Sequence, residues 1–448
     1  MRKGSHAVNT FLWIVMFAGI AVFVWALSHR GNGQPWPGRL ALVSGMATLG
    51  IGCLFRLGIP KRTNAAIAIL STIVAVYLAN AALEIATWKR PVERYDQIVA
   101  QLADAAGPRW DGRDKLTFLQ SLRASGVNAY PSAPVLYPPS PQFPDNFTDF
   151  IPVTNIANVA SVFCNESGEY SVYDSDRYGL NNDDRVYDAD GPRVILIGDS
   201  FAHGACVSAG EDTASNLRQL GIDAVNLGLW GNGPYLELAS LIEYGVKLSP
   251  STVFWLYFDG NDLHEASYEH QIPLLRRYLE RGFEQNLIDR QLEVDEYWKR
   301  LIADREREAI KARPRTVITE LKSLLLVSRI RRMVGLGQVW SGSPPTTTEP
   351  LPLMRQILSR AAQAASDAGG ELFFVYIADG YNYIDGAPPE RAGVLEMIKE
   401  LDIPLIDFSD VLESTGDPLN FFPFRIPAHY SAEGYRLLAD TLARAVRP

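Results

Sequence analysis

RVILIGDSFAHG (residues 193–204) joins a short apolar run to a turn carrying glycine, aspartate and serine. Val194 to Ile197 are apolar without alternation, so a strand here is buried on both faces. Such strands belong to parallel sheets covered by helices on each side. Four more runs share this character: Ile222–Asn226, Thr252–Tyr257, Glu371–Ile377 and Ile403–Asp407. Amphipathic stretches at 211–220, 235–247 and 353–368 lie between them, and strands alternating with helices predict an α/β fold. In that architecture, chemistry gathers beyond the carboxyl ends of the strands.

The loops after the strands fit that placement. The first strand runs into Gly198-Asp199-Ser200, the second into the loop from Asn226 through Trp230 and Gly231 to Gly233, and the third into Asp259-Gly260-Asn261-Asp262. After the fifth comes a loop with His429, before an amphipathic helix bearing Leu438, Leu442 and Ala445. Serine, glycine, asparagine and histidine thus occupy strand-end loops in that order. The set suits acyl transfer: a serine hydroxyl needs a base, and imidazole serves near neutral pH. The tetrahedral intermediate needs donors at its oxyanion, for which the N–H groups of Ser200 and Gly231 and the Asn261 amide are the candidates. Each residue also has a plain reading: Ser200 as a helix cap, Gly231 as a loop glycine, Asn261-Asp262 as a turn. Their joint order favours the functional one.

These blocks resemble the SGNH/GDSL family of esterases and lipases over roughly 190–262 and 370–448. GDSF matches its first block, Gly231 its second, Gly260-Asn261-Asp262 its third and His429 its last. The resemblance implies a flavodoxin-like three-layer α/β/α domain with a five-stranded parallel sheet. It also implies hydrolysis or transfer of O-acyl groups, often on carbohydrate, with no metal or organic cofactor. Membrane-tethered relatives act on envelope glycans, so an acylated glycan or small ester is the expected substrate, and envelope polysaccharide machinery a candidate partner. One position departs from the family. Its aspartate three residues before the histidine is Ile426 here. The site then works as a Ser200–His429 dyad, or another acid substitutes (Asp407 and Asp417 are nearest upstream), or catalysis is lost. The last option gives the rival reading, a non-catalytic glycan-binding or scaffold subunit.

The chain has 448 residues and a net charge of −9, with three cysteines. Three cysteines exclude a disulfide miniprotein or a multi-finger zinc protein, and the acidity argues against nucleic acid as partner. Residues 1–90 hold nine Lys/Arg and one acid, Glu84, while the remainder is acidic. Ala7–Ser28, Leu40–Phe55 and Thr63–Leu83 are uncharged, which predicts about three transmembrane helices contacting lipid. Basic residues flank them evenly, leaving orientation open, and the expected location is a multi-pass inner or plasma membrane protein with an extracytoplasmic catalytic domain. Cys164 and Cys206 either form a disulfide, as in an oxidising compartment, or are buried thiols.

The expected organisation is a membrane anchor (1–90), a helical connector and proline-rich linker (91–159), and the hydrolase-like domain (160–448). Seven prolines at 131–152 make an extended strap. Charged helical sequence at about 265–350 reads as an insertion with a solvated face. His203 reads as structural or pocket-lining, His264 and His270 as non-metal, and Asp262 as a brace for its loop. Trp230, Tyr235, Trp255, Tyr257 and Phe258 read mainly as core. Phosphate-loop, HExxH and CxxC motifs are absent from the sequence.

Overall fold

The computed structural model describes residues 2–28, 36–86, 94–132, 150–188, 191, 193–311 and 349–446. The chain divides into two compact units: Met1–Pro91 with Ala312–Thr347, and Val92–Lys311 with Thr348–Pro448. Most of the proline-rich strap and the end of the insertion lie outside the described residues.

The first unit contains α1 (Arg2–Ser28), α2 (Trp36–Leu54) and α3 (Ile59–Ala86). Small residues let α1 and α2 approach closely, for a Cβ at Gly19 would lie 2.4 Å from Thr48 Oγ1. Arg62 ties the turn by donating to Asn9 Oδ1 at 2.9 Å and to the Phe55 carbonyl at 2.6 Å. Trp13, Phe17, Leu49, Ile67 and Leu78 are exposed. Among the described residues, however, no helix is long and apolar enough to cross a membrane. This overturns the expected multi-pass membrane location. Uncharged runs are not by that fact wholly apolar: Asn9 and Thr10 fall in the first, Ser44 and Thr48 in the second, and Asn64, Ser71 and Thr72 in the third.

The second unit opens with α4 (Arg94–Ala106) and α5 (Lys115–Ala124), where Asp114 caps α5 by accepting from the Thr117 N–H. A small sheet comes next: β1 (Ala129–Pro131), β2 (Ala160–Val162) and β3 (Val172–Asp174), with β1 parallel and β3 antiparallel to β2. Then come β4 (Arg193–Gly198), α6 (Ser200–His203), α7 (Thr213–Gln219), β5 (Ala224–Asn226), α8 (Pro234–Glu243) and β6 (Pro250–Phe258). The insertion begins with α9 (Asp262–Glu269), α10 (Pro273–Arg276) and α11 (Gln291–Lys311). The chain returns through α12 (Pro350–Asp367), β7 (Glu371–Ile377), α13 (Asn382–Asp385), α14 (Arg391–Glu400), β8 (Leu405–Asp407), α15 (Phe408–Ser414) and α16 (Ala432–Val446).

The five remaining strands form one parallel sheet in the order β5-β4-β6-β7-β8. Side chains alternate between two cores. Ile195, Ile197, Val253, Trp255, Phe374 and Tyr376 pack with α8 and α12 on one face. Val194, Leu196, Phe254, Leu256, Val375 and Ile377 pack with α7, α15 and α16 on the other. Both faces are covered, so the near-continuous apolar runs and the three-layer α/β arrangement have one cause. Tyr235, Trp255 and Tyr257 are core residues, each at most 1% exposed. The insertion is less solvated than its charge implies: Val294, Trp298 and Ile302 of α11 bury against Ile156 and Val159.

Candidate active site

In a parallel sheet the strand order reverses beside the first strand, and loops on either side diverge to leave a crevice. Here that strand is β4, with Ser200 at its carboxyl end, flanked by β5 leading to Gly231 and β6 leading to Asn261. Asp199 caps α6, accepting from the Phe201 N–H at 2.9 Å, and thereby fixes the turn that presents Ser200.

The Ser200 Oγ lies 2.9 Å from His429 Nε2. His429 reaches it from a loop braced against α16, where the Ser431 N–H donates to the Phe421 carbonyl at 2.8 Å. Asp199 Oδ2, at 3.2 Å, is a second acceptor for the single hydroxyl proton. His429 Nδ1 lies 2.8 Å from Glu166 Oε1, and the His429 backbone N–H donates to Glu166 Oε2 at 2.9 Å. One carboxylate thus grips both the ring and the main chain. With Nδ1–H donating to Glu166, the lone pair of Nε2 faces the serine, the tautomer a general base needs. Burial lowers the basicity of His429, but the charge and hydrogen bond of Glu166, with the charge of Asp199, outweigh it and hold the imidazole above its usual value.

Glu166 resolves the vacancy at Ile426. It sits in the loop between β2 and β3, its side chain fully buried. Asp407 instead binds Arg391 at 2.5 Å, and Asp417 binds Arg425 at 2.6 Å, so neither is the orienting acid. Cys164 and Cys206 form a disulfide, Cα to Cα 5.0 Å, that pins this loop to the segment after α6. The cysteine pair is the one signal of Glu166 present in the sequence: joining the two brings residue 166 beside the helix of Ser200.

Gly231 adopts φ +79°, the left-handed region that a side chain disfavours. Asn261 stands before α9, and its Nδ2 donates one N–H to Glu265 Oε1 at 2.9 Å. The same amide also hydrogen-bonds the Asp199 carboxyl, so an oxyanion would have to compete with these acids for it. Asp262 braces the loop as expected, accepting from the Phe258 N–H at 2.8 Å. Below these loops lies a set of buried acids. Glu269 accepts from the Gly233 and Tyr235 N–H groups at 2.9 and 2.8 Å. Burial pushes Glu269 up to about 8 and raises Asp199, Asp262 and Glu237 as well.

Among the described residues, Glu166, Cys206 and His429 alone form a group with donor atoms mutually within 4.8 Å. Cys206 is disulfide-bonded and so offers no thiolate, while the other two donors bond each other; the group fits a relay and not a metal. His270 bonds the Tyr235 hydroxyl at 2.8 Å.

No family model matches the chain, and no match is found among curated proteins.

Proposed function

We propose that the chain is a serine ester hydrolase or acyltransferase of SGNH/GDSL type, with Ser200 as nucleophile, His429 as base and Glu166 as orienting acid. The observation that carries this reading is the unbroken relay from Ser200 through His429 to Glu166, at 2.9 and 2.8 Å. The strand order, which is that of flavodoxin-like sheets, and the blocks around Ser200, Gly231 and Asn261 support it.

In the reaction, the Ser200 oxygen attacks the ester carbonyl while His429 Nε2 takes its proton. Glu166 stabilises the imidazolium, and the Ser200 and Gly231 N–H groups with the Asn261 amide receive the oxyanion. The imidazolium returns the proton to the departing alcohol, leaving an acyl-serine. Water or a second alcohol then attacks by the same steps in reverse, giving hydrolysis or transfer. An acyl ester on a glycan is the substrate class that the family resemblance brings to this reading. The scaffold alternative rested on the missing acid and on the long helical insertion as a docking surface; Glu166 beside His429 weakens the first of these grounds.

The test is p-nitrophenyl acetate cleavage by the full-length protein beside Ser200→Ala. Loss of at least about 10³-fold in kcat is expected, as in other serine hydrolases. Turnover that persists in Ser200→Ala overturns the assignment.

A further inference from the structure

α6 is a single helical turn with Ser200 at its first position and His203 at its last. The His203 ring is 1% exposed and stacks on Phe163 with centroids 4.5 Å apart. Its Nδ1 accepts the backbone N–H of Trp230 at 3.1 Å. Nδ1 is therefore the unprotonated nitrogen, and the proton resides on Nε2, which is buried with no hydrogen-bond partner among the described residues. An unmet buried donor is destabilising. A carbon ring would fill this space without that cost, so the informative contact is the acceptor at Nδ1.

Trp230 immediately precedes Gly231. The same loop touches α6 at its other end, where a Cβ on Gly228 would lie 2.4 Å from Ala202 Cβ and 2.6 Å from the His203 nitrogen. The loop with the oxyanion glycine and the helix with the nucleophile are thus in backbone contact at Gly228 and hydrogen-bonded at Trp230. We propose that His203 is a positioning residue of the oxyanion hole: its Nδ1 fixes the Trp230 peptide and so aims the Gly231 N–H relative to Ser200. The proposal rests on the roles proposed for Ser200 and Gly231. Burial, with the nearby charge of His429, lowers His203 to about 3, so the ring stays a neutral acceptor over the range in which His429 works.

Two substitutions in the full-length protein separate acceptor from ring. His203→Phe keeps a stacked ring and removes the acceptor; His203→Asn places an amide oxygen near Nδ1 and removes the ring. For His203→Phe, kcat is expected to fall about 10- to 100-fold, less than the full loss of an oxyanion donor, with KM within about twofold. The acid limb of the pH profile stays in place because the His429–Glu166 pair is untouched. His203→Asn recovers most of the rate. Amide hydrogen exchange over residues 227–235 is expected to quicken in His203→Phe and not in His203→Asn. Should His203→Phe fail to fold, His203→Leu is compared with His203→Asn instead: both lack the ring and only the latter offers an acceptor.

Wild-type kcat with unchanged exchange in the acceptor-less variant overturns the proposal. So does a His203→Asn enzyme as impaired as His203→Phe, since restoring the acceptor would then not restore the rate. If the wild-type protein cleaves no ester, the function fails separately, and exchange alone decides the clamp: quickened exchange supports it and unchanged exchange overturns it.

Discussion

The two sheets of the second unit contribute to one relay in opposite ways. The parallel sheet delivers Ser200, Gly231 and Asn261 from the ends of its own strands, in a crevice set by topology. The small sheet of residues 129–174 delivers Glu166 from a hairpin loop. β4 and β6 span six and nine residues and bury nearly every side chain, whereas β1, β2 and β3 have three residues each. β5 and β8 of the parallel sheet also span three residues each, so the two sheets differ in the long buried strands at the centre of the parallel one.

The comparison breaks most sharply at Glu166. Glu166→Gln keeps the shape and removes the charge, and kcat is expected to fall about 10²- to 10⁴-fold, as when the acid of a serine triad becomes an amide. The pH profile gives the sign. Glu166 raises His429, and the base must be neutral, so the wild-type rate falls as pH drops through that raised value. Without the anion, burial dominates and the acid limb moves to lower pH. A Glu166→Gln enzyme with wild-type kcat and limb would return the site to a dyad.

Next is the tether between the sheets. Opening Cys164–Cys206 with dithiothreitol, or by Cys164→Ser with Cys206→Ser, is expected to lower stability by about 2–4 kcal/mol in denaturant titrations. Activity should fall about tenfold as the Glu166 loop loosens; unchanged kcat would show that the hairpin holds Glu166 unaided.

A smaller effect is expected under the parallel sheet. Glu237 is fully buried, both its oxygens lack hydrogen-bond partners among the described residues, and its carboxyl is held well above the usual range by burial and neighbouring acids. Between its ordinary value and its raised one, the folded state keeps a proton that the unfolded state has released, so stability falls as pH rises through that window. Glu237→Gln should raise the melting temperature at about pH 8, with the advantage shrinking toward about pH 4–5. An equal shift at both values would exclude ionisation as the cause. The smallest effect belongs to Asp417→Asn. Its pair with Arg425 is exposed and screened by water, so the melting temperature should hold within about 2 °C and kcat within about twofold.

Most of the parallel sheet was legible because its apolar runs sit between amphipathic helices; β7 matches its expected span of Glu371–Ile377. Ser200 and His429 were legible because strand-end loops in such a sheet have a fixed destination. Glu166 was not. It lies 263 residues from His429 in sequence, and its place depends on strand pairing and a crosslink. Asp407 and Asp417 are nearer His429 along the chain, but each is neutralised by its own arginine. Nearness in sequence was the wrong measure. The membrane expectation failed for a related reason, since counting charges ignores the polar residues between them.

The spread of the relay along the chain also sets an order of assembly. At about 5–20 residues per second, a ribosome adds His429 roughly 13–50 s after Glu166. All eight strands precede His429, as does the cysteine pair. A nascent chain therefore holds Ser200 and Glu166 before it holds His429, and it cannot run the proposed chemistry while most of its sheet is already made.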